Sequence, residues 1–246
     1  MEKYAFYAKP ALRLSALGDS RLVSGRGRGR KYRIVTVALK KPPRSARKPK
    51  GDGHMRRGEI LAAAEKIFIA EGYAGATIRK IADAVGVSST ALYMHFRDKD
   101  QILLEIGKEA IEKLLSINVA LSQEPIDAVE KVRRMLDAYM RFAFENPNTY
   151  QLVFCGSNEA ISVEKQQAVS DLGDRCFDEF SGPIREIAAA GRLKTGTAES
   201  AAQVLWAACH GIVSLVITKP SRSWAPAEEL MQVTLDGVMH GLIADR

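Results

Sequence analysis

The chain has 246 residues and a mass of 27.0 kDa, enough for one large domain or two small ones, with 46% apolar residues and only 7% aromatic ones. No unbroken apolar run reaches the ~18 residues of a membrane span; the longest, Leu205 to Thr218, is interrupted by His210 and Ser214, which on this argument rules out a membrane protein. The net charge of +7 is unevenly spread, and the asymmetry between the two ends says more than the total.

Residues 1–55 carry 15 Lys and Arg against three acids, Glu2, Asp19 and Asp52, which leaves 21 basic and 26 acidic residues for the rest. A basic segment thus precedes a mildly acidic body, an arrangement that suits a polyanion partner. GRGRGRK at 25–31 and KKPPRSARKPKGDG at 40–53 hold too few apolar side chains to offset backbone ordering. The segment is therefore expected to be mostly disordered, apart from an alternation at Ile34 to Leu39 that could form a strand. The Arg–Gly run resembles arms that enter the DNA minor groove. A solvated leader, or translation beginning at Met55, fits the composition equally well.

Folded patterning occupies residues 56–101. Ile60, Leu61, Ala64, Ile67 and Phe68 recur at helical spacing until Gly72 stops the stripe. Thr77 is the expected N-cap of a second helix with Ile78, Ile81, Ala82 and Val85 on its inner face, broken by Gly86. Ser88 caps a third, short helix bearing Ala91, Leu92, Tyr93 and Phe96. Two short helices joined by a tight glycine turn form a helix-turn-helix, and Ala82 and Gly86, four apart, remove bulk where the helices cross. A third helix that enters the major groove would present Ser89, Thr90, Tyr93 and Met94, with Ser88 and Thr77 offering hydroxyls to phosphate and Arg79 and Lys99 adding flanking charge. An ordinary helical subdomain with a polar face has the same periodicity.

The stretch ILAAAEKIFIAEGYAGATIRKIADAVGVSSTALYMHFRDKDQILL, Ile60 to Leu104, resembles the DNA-binding domain of TetR-family transcriptional regulators. Ala64, Phe68, Gly72, Thr77, Ile81, Ala82, Gly86, Val87, Ser88, Leu92, Tyr93, His95, Phe96, Lys99 and Leu103 keep the family's spacing. The resemblance implies that Thr77, Tyr93, His95 and Lys99 hold the phosphate backbone and that Ser89, Thr90 and Ala91 face bases. Met94 departs from the pattern, standing where a basic or polar residue is common, so base readout is expected to lean on methyl contacts and DNA shape.

Residues 102–246 read as helices throughout: through KEAIEKLL to about Ser122, then Ile126 to Glu145 with Asn146-Pro147 as a stop, Tyr150 to Cys155, Val163 to Ala190, Thr197 to Thr218, and a last one to Ile243. Ala201, Leu205, Ala208, Ile212 and Leu215 form one apolar stripe, and Leu230, Val233, Leu235, Val238 and Leu242 another. Such stripes suit either an intramolecular core or a four-helix dimer interface. The resemblance implies a homodimer through these helices, with Leu205, Ile212, Leu215, Leu230, Val233 and Val238 as interface candidates. NPNTYQLVF at 146–154 and WAACHG at 206–211 further resemble a C-terminal subclass of the family marked by Trp and His-Gly.

Aromatic or amphipathic residues expected to face inward, Tyr139, Phe142, Tyr150, Phe154, Trp206 and His210, are candidate liners of an effector pocket or plain core; His210, polar on an apolar stripe, needs a partner. Catalysis finds no candidates. His54, His95, His210 and His240 lack metal-ligand spacing, and there is no P-loop or GxSxG. Adjacent helical residues point about 100° apart, so Cys209 and His210 are badly placed to pair. Cys155, Cys176 and Cys209 form no CxxC and fit a reducing cytoplasm, and no secretory signal opens the chain. The expectation is an all-α, two-domain protein with no cofactor or metal. Residues 56–101 would bind a palindromic DNA operator and residues 102–246 would dimerise and take a small-molecule effector that releases it. A ligand-independent architectural DNA-binding protein is the alternative.

Overall fold

The computed structural model describes residues 53–155 and 163–244. The expected basic segment, its possible strand at Ile34 to Leu39 and its Arg–Gly run lie outside the described residues. The described chain is helical: α1 (Gly53–Gly75), α2 (Ile78–Val85), α3 (Ser89–Tyr93), α4 (Lys99–Ser122), α5 (Ala128–Glu145), α6 (Pro147–Tyr150), a π-helical turn (Gln151–Cys155), α7 (Val163–Ala189), α8 (Ala198–Thr218) and α9 (Ala227–Leu242). The all-α expectation holds.

Local chemistry sets the boundaries where the sequence placed them. Gly72 breaks α1 with φ 71° and ψ 171°. The Thr77 side chain accepts from the Lys80 N–H at the start of α2, and Gly86 ends it in the left-handed region at φ 76°. The Ser88 hydroxyl accepts from Ala91 N–H to open α3, and Asp98 does the same for Gln101 N–H at α4. A reciprocal Thr197–Ser200 capping box starts α8. Asn146-Pro147 stops α5, yet Pro147 then sits in the first turn of α6, where its missing N–H costs nothing.

Two cores result. Ile60, Ala64 and Phe68 of α1, Ile81 and Ala82 of α2, Leu92, Phe96, and Ile102, Leu103 and Ile106 of α4 form the first. The second gathers α5 with Ala110 and Leu114 of α4, Phe180, Ile184 and Ile187 of α7, Ala201, Leu205, Cys209 and Val213 of α8, and Met231, Leu235 and Met239 of α9. The boundary expected between 101 and 102 therefore falls inside α4, whose first turns belong to the first core. α4 is one rod shared by both.

α8 is long and apolar enough to cross a membrane by length and composition, which the run-length argument missed. Its core face repeats every four residues at Ala201, Leu205, Cys209 and Val213. Val204 and Leu215 are each 49% exposed on the other side. After α9 the chain end is pinned to the α7–α8 turn by an isolated Leu193–Ile243 bridge and by Ala244 N–H donating to Arg192 O at 2.8 Å.

Candidate DNA interface and effector cavity

The first core presents α2 and α3 on a braced frame. Leu92 and Phe96 are sealed at 0% and 1% exposure, and the Arg57 guanidinium lies 4.3 Å over the Phe96 ring while donating to His95 O and pairing with Glu105. With that side anchored, Thr77, Arg79, Ser88, Thr90, Ala91, Tyr93 and Met94 are left exposed, while Ser89 and His95 are half-buried. The Thr77 and Ser88 hydroxyl oxygens accept cap bonds, which leaves each O–H able to donate to a phosphate oxygen. The Arg79 side chain is 87% exposed, held only by a 3.9 Å approach to Asp83.

Lys99 departs from expectation. Its ammonium donates to Tyr73 O at 2.7 Å and Ala76 O at 3.2 Å and lies 4.0 Å over the Tyr73 ring. Two of its three donors satisfy carbonyls that α1 leaves open at its end, so Lys99 locks the α1–α2 turn onto α4 rather than reaching outward.

Beside the second core, α4, α5, α7, α8 and the π-helical turn line a half-open cavity of about 590 Å³. Leu104, Ile111 and Leu114 line it from α4; Met135, Leu136 and Tyr139 from α5; Val153 and Phe154 from the π-helical turn; Phe177 and Phe180 from α7; and Trp206 from α8. Polar groups are few, among them Asn118, Ser170, Asp174 and Gln203. An apolar chamber of this size with sparse polar groups suits a drug-sized organic molecule.

Behind the Tyr139 wall lies a closed polar triangle. His210 Nδ1 is 2.9 Å from Tyr139 Oη and 2.7 Å from Tyr150 Oη, and the two hydroxyls are 3.1 Å apart. Burial holds the imidazole pKa below its ordinary value and raises both phenols, so all three groups are neutral and hydrogen-bonded to one another, with the donor and acceptor roles set by the histidine tautomer. Phe154 and Trp206 pack their rings against His210 at 6.1 Å and 5.4 Å. Cys209 faces the core instead, and burial pushes its thiol up to about 12, so no thiolate–imidazole pair exists.

Residues 60–106 match the family model described as bacterial regulatory proteins, tetR family, and residues 132–238 match the tetracyclin repressor-like C-terminal domain. The chain is 33% identical over 145 residues to a nucleoid occlusion factor SlmA of Vibrio vulnificus, covering 57% of this chain and 70% of that protein. The chain belongs to the TetR family. A transcriptional activator FasR of Mycolicibacterium smegmatis is 31% identical over 129 residues, a match that spans 51% of this chain and 59% of that protein's length. The crystal structure of the TetR-family regulator PfmR from Thermus thermophilus superimposes with a TM-score of 0.65 at 24% identity, over 76% of this chain and 99% of that one. This TetR-family chain is a DNA-binding transcriptional regulator, not an enzyme.

Of the pocket candidates, Tyr139, Phe154 and Trp206 line the cavity of this TetR-family chain. Tyr150 and His210 stand one layer back, and Phe142 is packed in the core under the Lys113 ammonium, off the cavity. Leu205, expected at a dimer interface, is fully buried within the monomer at 0% exposure. The expected stripe runs along one edge of the core face of α8: Ala201 and Leu205 fall inside it, whereas Leu215, about 80° around the helix from Leu205, falls outside it. Leu215 and Val233 are open at 49% and 64%; Ile212 and Val238 rest partly on the core. The wall supplied by α7 was missed, although Phe177 and Phe180, three apart on one helical face, were a readable signal.

Proposed function

We propose that this regulator is a dimeric repressor that binds a palindromic operator through α2 and α3 in the cytoplasm and is released by a small organic effector in the 590 Å³ cavity. The observation that carries the reading is the continuity between cavity and DNA-binding core. In the π-helical turn, Leu152 packs against the first core while its neighbours Val153 and Phe154 line the cavity. α4 repeats the arrangement, with Ile102 and Ile106 in the first core and Ile111 and Leu114 at the cavity wall. A ligand that favours a different seating of these segments would reposition α3, provided it binds that state more tightly than the DNA-bound one.

Dimerisation is supported by the outer faces of α8 and α9. Only 28% of the apolar α8 window is buried within the chain. Gly211 of α8 and Gly237 of α9 sit within their helices with nothing within 4 Å of an added Cβ. Glycine there costs about 1 kcal/mol relative to alanine, a cost offset where another helix approaches closely. Two such pairs would make a four-helix interface and place two α3 helices for grooves ~34–36 Å apart.

The reading is tested by selecting bound sequences from random duplex DNA with the full chain and with a chain starting at Met55. An enriched palindrome from both supports it. Crystals with and without effector should then differ in half-site spacing; unchanged spacing with lost DNA affinity defeats the release mechanism. The alternative, a ligand-independent architectural role, draws on the relatives named as nucleoid occlusion factors. It requires binding without an enriched motif that collapses steeply in salt.

A further inference from the structure

We infer that Met94 is a specificity-determining residue that reads the C5-methyl group of a thymine in the major groove. The inference rests on DNA binding by α2 and α3 and, for one contact per half-site, on the dimeric operator reading above.

Met94 is 83% exposed, more than any other large apolar side chain among the described residues. It is the C-cap of α3, directly after Tyr93, with backbone angles in the right-handed helical region at φ −71° and ψ −17°. Its side chain therefore follows the helical direction set by Leu92 and Phe96, which are locked in the core at 0% and 1% exposure. Thr90 and Ala91, four and three residues earlier, share its face and are exposed too. That face carries a thioether, a methyl and a threonine with one hydroxyl.

The sequence of α3, Ser-Thr-Ala-Leu-Tyr, contains no charged side chain, so it has none of the guanidinium or carboxylate groups that read guanine or cytosine. The open cations nearby, Arg79 of α2 and Arg97 after α3, are flanking charges suited to phosphate, and phosphate contacts carry no sequence information directly. Discrimination on this face thus falls to apolar contact and the Thr90 hydroxyl. Thymine alone among the bases offers an apolar group in the major groove. A long, polarizable thioether adapts to a methyl group without demanding one geometry.

The test uses the full chain and the operator obtained by selection, with each thymine replaced singly by deoxyuridine, which removes the C5-methyl and keeps base pairing. For the native protein, one replacement in each half-site is expected to weaken binding about fourfold, the worth of one buried methyl. Met94→Ala should bind thymine and deoxyuridine operators equally at that position, with an unchanged melting temperature and an unchanged salt slope, because no phosphate contact is lost. Met94→Leu keeps an apolar tip and should retain the preference. The inference is overturned if no deoxyuridine position weakens binding, or if Met94→Ala shows the same sensitivity as the native chain. Failure to enrich any motif would instead bring down the operator reading on which it rests, and this inference with it.

Discussion

Thr149 Oγ1 donates to Glu65 Oε1 at 2.8 Å, joining the helix that leads into the cavity wall to the first helix of the DNA-binding domain. The two residues are 84 positions apart, and Leu152, three residues after Thr149, packs on the first core. Thr149→Val and Glu65→Ala in a double-mutant cycle on unfolding should return a coupling of about 1 kcal/mol, the usual net worth of a partly buried hydrogen bond. Additive single effects would remove this contact as a link between the two cores.

The Tyr139–Tyr150–His210 triangle makes stability depend on pH in a defined direction. Burial lowers the His210 pKa from its ordinary 6.5, so as pH falls through 6.5 the unfolded chain binds the proton before the folded one does. The stability this neutral imidazole contributes is complete above that value and is lost on acidification toward the depressed folded value. Melting temperature followed from about pH 7.5 to about pH 5 should fall, and His210→Leu should remove part of that slope while lowering stability at neutral pH by about 1 kcal/mol, because each tyrosine loses its imidazole bond but keeps the other hydroxyl as a partner. An identical slope in the variant would assign the effect to other groups.

Gly86 ends α2 at φ 76°, a conformation that costs an L-residue roughly 1–2 kcal/mol. Its N–H bonds to Ala82 O and Asp83 O close the turn that aims α3. Gly86→Val should lower the urea midpoint accordingly and weaken operator binding further than stability alone accounts for. A stable variant with native DNA affinity would mean that the turn relaxes without moving α3.

Val233 and Leu215 test the open face of α8 and α9. Both are already exposed, at 64% and 49%, so a charge there should change the stability of a lone chain by no more than about 0.5 kcal/mol. Sedimentation equilibrium of Val233→Glu is expected to show monomers where the native chain shows dimers, with operator affinity lost. A dimer of undiminished strength would place the interface elsewhere.

Gly107 offers a test in the stabilising direction. It is buried in α4, and an added Cβ would meet Val169 Cγ1 at 3.6 Å and Val153 Cγ2 at 4.0 Å, both ordinary contacts. Gly107→Ala should therefore raise stability by up to about 1 kcal/mol through helix propensity. Gly107→Leu should lower it, because the larger side chain presses on two residues that line the cavity. Destabilisation by alanine would show that α4 and α7 approach more tightly than these distances imply.

The sequence by itself determined the helix-turn-helix: Thr77, Gly86 and Ser88 act on backbone groups three or four residues away, and the helix ends follow from them wherever the segment is placed. It also determined the family, because the residues carrying that resemblance are these same caps, turns and inner faces. Only the tertiary structure decided which side of α8 is core, because Leu205 and Leu215 are equally apolar and differ in what packs against them. The same holds for Lys99, drawn to carbonyls 23 and 26 residues back, and for His210, whose partners lie 60 and 71 residues away. Caps and turns are satisfied within one helical turn, so they are written locally. Burial and buried hydrogen bonds depend on which distant helix arrives, and that is settled only when the cores assemble.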